Sequence, residues 1–428
     1  MASVKIGIIG LGYAGFPMTL LFSKVYDVVG FDLSETRVAE LNAYYDRGGD
    51  TDSRQIKEML ESGRVLLTTE VEKLRACNFY VVVVPTPVDN DNKPDLTYII
   101  RASREVGSVL SPGDTVVFES TVYPGATEEI CVPEIEAASG LKLNEDFFVG
   151  YSPERINPGD RMHTADNIIK VTSGSTPEAA RFIDGVYASV LGEGFTWQAS
   201  SISVAEACKV VENAQRDVNI AFVNEVAKIL HSLNIDVNEV IDAMDTKWNA
   251  LGFRPGLVGG HCIGIDPYYL IACAASRGVE AGLMTAARKV NSSMPQFAVD
   301  NIISQLRTNG KTLDNARVLL LGFTFKENCP DVRNTRVADI YSIISTHTRD
   351  ITVLDPRANR ELCRTAYGIE VVNDEREIAG RQYDAVVLCV AHKEFDECDF
   401  ARYMAPNGIF YDVKGVAKQN RRIHKENI

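Results

Sequence analysis

Val4-Lys5-Ile6-Gly7-Ile8-Ile9-Gly10-Leu11-Gly12-Tyr13-Ala14-Gly15 begins as an apolar run and ends in glycines spaced G-x-G-x-x-G. The run has the composition of a buried strand, and an apolar helical segment follows from Phe16 to Val25. A second strand, Val28 to Phe31, ends at Asp32, twenty residues beyond Gly12. Strand, glycine turn, helix, strand and acidic residue in this order form a dinucleotide-binding fingerprint. Glycines let the backbone approach a pyrophosphate at a helix N-terminus, where unpaired N–H groups and the helix dipole favour anions. Gly10, Leu11, Gly12, Tyr13, Ala14 and Gly15 are therefore the candidate cofactor loop. Asp32 would accept from ribose hydroxyls and repel a 2′-phosphate, which favours NAD over NADP. Arg37 is a counter-signal at the cofactor's adenosine end, and a solvated helix-face arginine explains it equally.

Further strands follow at the expected intervals. Phe79 to Val84 leads into Pro85-Thr86-Pro87, and Thr115 to Glu119 leads into Ser120-Thr121. Ligands of open parallel sheets lie outside the carboxyl ends of the strands, so Thr86 and Thr121 are candidates to meet the cofactor or a catalytic water. Turn chemistry accounts for either threonine as well. A later strand, Phe147 to Gly150, ends in Tyr151-Ser152-Pro153-Glu154-Arg155-Ile156-Asn157-Pro158-Gly159. Glu154 beside Arg155 reads as a general acid/base next to an anion contact, with a surface salt bridge as the competing reading.

The chain has 428 residues, enough for two or three domains, and its net charge of −14 argues against nucleic acid as a main partner. The nine cysteines are scattered, with no CxxC pair and no His/Cys metal spacing. No signal peptide or apolar run of spanning length is evident, so a cytoplasmic chain with reduced thiols, no membrane and no metal is expected. One thiol stands apart. In Gly259-Gly260-His261-Cys262-Ile263-Gly264-Ile265-Asp266-Pro267, glycines surround a cysteine with a carboxylate four residues on. Such a loop can present a thiol to a ligand, whereas a cysteine is otherwise most often a small core residue.

Between these sites, Ser203 to Leu230 is free of proline and glycine and strongly helical, and Ser203 with Glu206 fits a capping box. Glu206, Lys209, Asn213, Arg216 and Asn224 recur near one face. A polar stripe is usually a solvated face. The amides among these residues suit a helix with its polar side on a ligand, and Lys209 with Asn213 could hold an oxyanion.

The last third repeats the first. Val318 to Gly322, Ile351 to Asp355, Ala385 to Val390 and Ile409 to Val413 are strand-like, and an aspartate again ends the second strand. No glycine fingerprint follows the first; Phe323-Thr324-Phe325-Lys326-Glu327-Asn328 stands there instead, with Asp331, Arg333 and Arg336 beyond. An aromatic for stacking and a lysine for phosphate suit a ligand other than a dinucleotide, while core packing explains the phenylalanines individually. The expected fold is α/β: two Rossmann-like doubly wound domains joined by a long central helix. The domains are residues 1–200 for NAD, 201–305 as a helical dimerisation region carrying the cysteine loop, and 306–428 for the second nucleotide.

Gly10-x-Gly12-x-x-Gly15, Glu206-Ala-x-Lys209-x-x-x-Asn213, Gly259-Gly-x-Cys262-x-x-x-Asp266 and Phe325-Lys326 occur in this order across nearly the whole chain. Together they resemble the UDP-glucose/GDP-mannose dehydrogenase family of NAD-dependent four-electron sugar-nucleotide oxidases. The resemblance implies two oxidations at C6 of the sugar, with Cys262 forming a thiohemiacetal and then a thioester that water hydrolyses to a uronic acid. It further implies that Lys209 and Asn213 stabilise oxyanions, that Asp266 supports base chemistry, and that Glu154 and Thr121 serve the thioester and its water. Arg254 would approach the substrate, within its own chain or across a homodimer, with Arg155, Arg216 and Gly256 also toward it. Phe325 and Lys326 would line the sugar-nucleotide pocket, and Arg333 would lie nearer the cofactor.

Family members acting on UDP-glucose carry a second glutamate four residues after the position of Glu154; here that position is Pro158. The Arg-Ile-Asn-Pro-Gly form resembles the branch acting on UDP-N-acetylhexosamines for capsule and O-antigen polysaccharide synthesis. UDP-N-acetylglucosamine is the favoured substrate, with the galacto and manno epimers and UDP-glucose as alternatives. A two-electron 3-hydroxyacid-type dehydrogenase would share the first domain and the helical centre but need neither Cys262 nor a second nucleotide fold. An NAD-binding scaffold without turnover is the non-enzymatic alternative.

Overall fold

The computed structural model describes residues 3–48, 51–89, 91–155, 167–260, 262–415 and 417. Residues 156–159, and Pro158 with them, fall outside that set, as does His261. The chain divides into two compact units, Met1–Glu212 with Tyr268–Glu280, and Asn213–Pro267 with Ala281–Ile428.

In the first unit, β1 (Lys5–Ile9), β2 (Asp27–Phe31), β3 (Val65–Thr68), β4 (Phe79–Val82), β5 (Thr115–Phe118) and β6 (Phe148–Tyr151) form one sheet in the order β3-β2-β1-β4-β5-β6. Every pairing is parallel. Such sheets are covered on both faces, which is why these strands are near-continuous apolar runs. Ile6 and Ile8 pack into the core on one face, and Ile9 into the core on the other. The strand order reverses between β1 and β4, and that switch point is where ligands of this architecture bind. Helix α1 (Gly15–Ser23) follows β1 directly, and β7 (Lys170–Thr172), α2 (Pro177–Leu191) and β8 (Thr196–Gln198) add a small parallel ribbon with its covering helix.

Helix α3 (Ile202–Ser232) runs for 31 residues. Its start differs from the expected capping box: Ser201 Oγ accepts from Val204 N at 3.2 Å, leaving Ser203 inside the first turn. Glu206 is drawn away from the cap because its carboxylate is needed by another loop, as described below. Residues of α3 up to Glu212 belong to the first unit, and those from Asn213 to the second. Helix α4 (Val237–Met244) follows, then the cysteine loop, α5 (Asp266–Ser276) and α6 (Gly282–Ser292). Among the described residues no helix is long and apolar enough to cross a membrane.

The second sheet comprises β9 (Val318–Leu321), β10 (Ile351–Leu354), β11 (Val371–Val372), β12 (Tyr383–Leu388) and β13 (Met404–Asp412), all parallel, in the order β11-β10-β9-β12-β13. The two sheets share one device. Asp32, after β2, accepts from Leu11 N at 2.8 Å; Asp355, after β10, accepts from Phe323 N and Thr324 N at 2.5 and 3.0 Å. In each case the carboxylate ending the second strand grips the loop that ends the first.

The outcomes differ. Asp32 is partly exposed, whereas Asp355 is fully buried and 3.0 Å from His392 Nε2. Burial pushes the Asp355 carboxyl up, but His392 and the Phe323 and Thr324 amides outweigh it and hold the group at about 2. A depressed carboxyl stabilises the fold above its unfolded pKa of roughly 3.9 and loses that contribution as pH falls to about 2. Asp355→Asn should therefore cost about 2–3 kcal/mol at neutral pH and flatten the acid limb of the unfolding curve between roughly pH 4 and 2. Urea unfolding across that range measures both.

Candidate active site

The first unit carries the glycine loop. Gly10 has φ +96°, and a Cβ there would stand 2.6 Å from the Val83 carbonyl oxygen. A Cβ on Gly15 would stand 1.8 Å from the Gly10 oxygen, so helix and strand can meet only at a glycine. Gly12 is exposed with nothing within 4 Å of its Cβ position. The first glycine makes the turn, the third permits close packing, and the second leaves open backbone where a pyrophosphate would approach. Helix α1 has no side-chain cap and no acidic residue in its first turn, so its leading N–H groups suit an anion. These features fit NAD. Leu11 and Ala14 are buried under the turn, and Tyr13 is half-buried on it.

Arg37, expected toward the adenosine end, is turned into the protein. Its Nε donates to the Leu11 oxygen at 2.8 Å, its Nη1 pairs with the buried Asp46 at 2.7 Å, and its guanidinium lies over the Phe16 ring. It braces the glycine loop from behind.

Thr86 and Thr121 are both half-buried just beyond the carboxyl ends of β4 and β5. Ser120 Oγ donates to the Val84 oxygen at 2.7 Å and ties the two segments together. Glu206 accepts from Gly125 N and Thr127 N at 2.6 and 2.8 Å, which fixes the continuation of the Thr121 loop. Burial raises the Glu206 carboxyl, and the loop hydrogen bonds oppose that rise. One turn further along α3, Lys209 is 5% exposed. Glu154 is 4% exposed, with its Oε2 3.9 Å from Lys170 Nζ. Arg155 pairs with Glu212 at 3.5 Å and donates to the Ile169 oxygen, so among the described residues its ion pair is with α3 and not with the neighbouring Glu154.

The second unit carries the thiol. Cys262 is half-buried, and its carbonyl accepts from Asp266 N at 2.8 Å where the loop turns into α5. Asp266 is 2% exposed and accepts from Asn213 Nδ2 at 2.6 Å. Asn213 was expected to hold an oxyanion. Its amide instead donates to the carboxylate four residues past the thiol, so its observed contact is an orienting one. The glycines before Cys262 are there for close approach. Gly260, at φ +79°, leaves 2.7 Å between its Cβ position and the Phe325 ring, and Gly259 leaves 2.7 Å to the Asn334 oxygen.

Phe325 therefore presses on the cysteine loop with Lys326 Nζ 5.3 Å above its ring, while Phe323 lies in the core. Gly256 is held on both backbone groups by Asn224, which accepts from its N–H at 2.8 Å and donates to its oxygen at 3.0 Å. Asn224, expected to face a ligand, is fully buried for this reason. Arg216 is exposed on the same helix. Arg254 pairs with Asp242 at 2.7 Å and Asp245 at 3.4 Å on and beside α4 of its own chain. Arg333 folds back onto Asp331 in a forked pair.

The chain matches three consecutive domain families. They are the NAD-binding, central and UDP-binding domains of the UDP-glucose/GDP-mannose dehydrogenase family, over residues 4–191, 203–293 and 319–419. It is 46% identical over 417 residues to the UDP-N-acetyl-D-glucosamine 6-dehydrogenase of Salmonella typhi, covering 96% of each chain. The chain belongs to the UDP-glucose/GDP-mannose dehydrogenase family. The enzyme of the same name from Pseudomonas aeruginosa is 45% identical over 424 residues, covering 98% of this chain and 99% of that one. The solved UDP-D-ManNAc dehydrogenase of Pyrococcus horikoshii superposes with a TM-score of 0.86 at 29% identity, over 96% of this chain and 99% of that one.

For this dehydrogenase, reasoning from sequence missed Asp217 and Lys170. Asp217 is fully buried on α3, 2.5 Å from Arg288 of α6 and also bonded by Asn291, which in turn accepts from Asn224. Its signal was its spacing, four residues after Asn213 and seven before Asn224, which places it on the same polar stripe. Lys170 opens a three-residue strand and has no such pattern. The glycine packing yields a test. Gly260→Ala forces a side chain into the Phe325 ring at a left-handed φ, and a displacement near 1 Å of the thiol loop should lower kcat by about 10²-fold. Steady-state NADH formation, with a thermal melt to show that the fold survives, checks this.

Proposed function

We propose that this chain oxidises the C6 hydroxyl of UDP-N-acetylglucosamine to the uronic acid, using two NAD per sugar and Cys262 as covalent nucleophile, to supply surface polysaccharide synthesis. The observation that carries the substrate is end-to-end identity of 46% and 45% to two enzymes named for that reaction. The contact that best supports the chemistry is Asn213 to Asp266, beside Cys262. The Pyrococcus horikoshii structure favours the manno epimer as the second reading.

NAD, when bound, accepts one hydride in each oxidation. The chain's own residues do the rest. In the first oxidation C6 loses a hydride and its hydroxyl a proton, giving an aldehyde. The Cys262 sulphur adds to the aldehyde carbon, and Lys209 neutralises the charge that develops on oxygen. Loss of a second hydride from that carbon gives a thioester. A water oriented by Glu154 and Thr121 attacks the thioester carbonyl, Glu154 takes its proton, and the carbon–sulphur bond breaks to return the thiolate. One hydroxymethyl group, two NAD and one water thus become a carboxylate, two NADH and three protons.

Asp266, oriented by Asn213, serves proton transfer near the thiol. Phe325, Lys326, Gly256, Arg254 and Arg216 serve the sugar nucleotide, and Arg333 the cofactor. The enzyme works in the cytoplasm as a homodimer formed through the central helix. Val211, Phe222 and Ile229 on α3 are 50%, 65% and 53% exposed at spacings that place them on one side, and Trp248 is 91% exposed beyond α4.

NADH released from UDP-N-acetylglucosamine, UDP-N-acetylgalactosamine, UDP-N-acetylmannosamine and UDP-glucose, counted against sugar consumed, tests the reading. Two NADH per sugar with UDP-N-acetylglucosamine preferred is expected, and one per sugar excludes the covalent four-electron route. Cys262→Ser should retain the first oxidation and fail to release uronate. Lys209→Ala should lose about 10²–10³ in kcat with little change in NAD affinity.

A further inference from the structure

Four ionisable side chains meet in the first unit. Glu119, immediately after β5, and Tyr187 of α2 are fully buried; Glu154, after β6, and Lys170, at the start of β7, are 4% and 6% exposed. Lys170 Nζ stands 2.6 Å from Glu119 Oε2, 3.3 Å from the Pro153 oxygen and 3.9 Å from Glu154 Oε2, and lies over the Tyr187 ring. The Tyr187 hydroxyl donates to the other oxygen of Glu119. Arg155 is directed to Glu212 and the Ile169 oxygen, and Asp184 of α2, one turn before Tyr187, accepts from Thr172 Oγ1 at 2.7 Å. Two buried carboxylates thus share one ammonium.

A buried ion pair adds little net stability over a well-packed apolar replacement, so folding alone does not account for this arrangement. Glu119 and Glu154 lie at the carboxyl ends of neighbouring strands, where this architecture does its chemistry. Burial raises the Glu119 carboxyl and the Tyr187 phenol, which keeps the tyrosine a donor.

We propose that Lys170, anchored by Glu119 and Tyr187, is a positioning residue that aims Glu154 through the Pro153 carbonyl for the hydrolytic half of the reaction. The inference rests on the reading that Glu154 takes the proton of the attacking water. Lys170 donates to the peptide oxygen directly before Glu154 and places its charge within 4 Å of the carboxylate, so one ammonium controls both place and charge. Glu119 draws the same ammonium the other way and adds a like charge.

The test is the pH profile of the steady-state rate, with UDP-N-acetylglucosamine and NAD as substrates. Lys170→Met removes the cation, so the acid limb should move up, with activity recovering as pH rises. The first-turnover burst of NADH should persist, and Lys170→Arg should keep the wild-type profile. Glu119→Gln removes the competing charge, retains an acceptor for Tyr187, and should move the limb down. Opposite displacements are the signature of charge on Glu154; an equal loss at every pH, or displacement of both variants in one direction, overturns the proposal. If Lys170→Met does not fold, Glu119→Gln decides alone, a downward displacement supporting the proposal and none overturning it. Glu154→Gln separates the layers. If that variant still hydrolyses the thioester, the assignment of Glu154 fails; if it stalls while the other profiles stay unmoved, only the role of Lys170 fails.

Discussion

The 2.6 Å hydrogen bond from Asn213 to Asp266 expresses the constraint on which the other sites also depend. A polar atom buried on a long helix must be satisfied, and on α3 the partners come from loops or from neighbouring helices. Glu206 closes the turn at Gly125 and Thr127, Asp217 takes Arg288 and Asn291, and Asn224 takes both backbone groups of Gly256. Removing one member strands the other, at a cost of about 1–3 kcal/mol for a neutral group and more for a charge. These bonds therefore do more than hold the helix in place. They convert its regular spacing into fixed positions for irregular segments, which by themselves have no reason to adopt one conformation.

The two sheets show how one device serves different ends. Asp32 and Asp355 both end a second strand and both accept from the loop ending the first. Asp32 keeps an exposed edge beside a glycine turn whose middle position is open, the requirement for a dinucleotide. Asp355 is sealed under Thr324 and against His392, so its carboxylate is wholly structural. The ligand-facing role proposed for that unit falls to the segment that carries Phe325 and Lys326. That segment also supports the cysteine loop, since Gly260 rests on the Phe325 ring and Asn334 accepts from Gly260 N at 3.3 Å. One stretch thus joins the proposed nucleotide contacts to the setting of the cysteine loop.

Lys170, Glu119 and Tyr187 extend the same logic to charge. The carboxyl ends of β5 and β6 bring two carboxylates into apolar surroundings, where neither is stable alone. A single ammonium from a strand outside the main sheet answers both. The result is a buried charge cluster whose balance depends on contacts made from four separated segments.

The sequence alone determined both nucleotide folds, the helix between them and the family. These rest on local chemistry: glycines where backbone must pass close, apolar runs for strands covered on both faces, and an aspartate at the end of each second strand. It also singled out Cys262, Asp266 and Asn213, because a glycine-framed cysteine loop and a helix face are legible as spacing. Only the tertiary structure decided how the polar residues divide between ligand and scaffold. Arg37, Arg254 and Asn224 read as ligand contacts and proved to be held by Asp46, by Asp242 and Asp245, and by Gly256. Lys170 drew no attention and proved central to a buried cluster. The physical reason is the same in each case. A charged or amide group is defined by the partner that satisfies it, and here most of those partners come from other elements, at separations that no local pattern encodes.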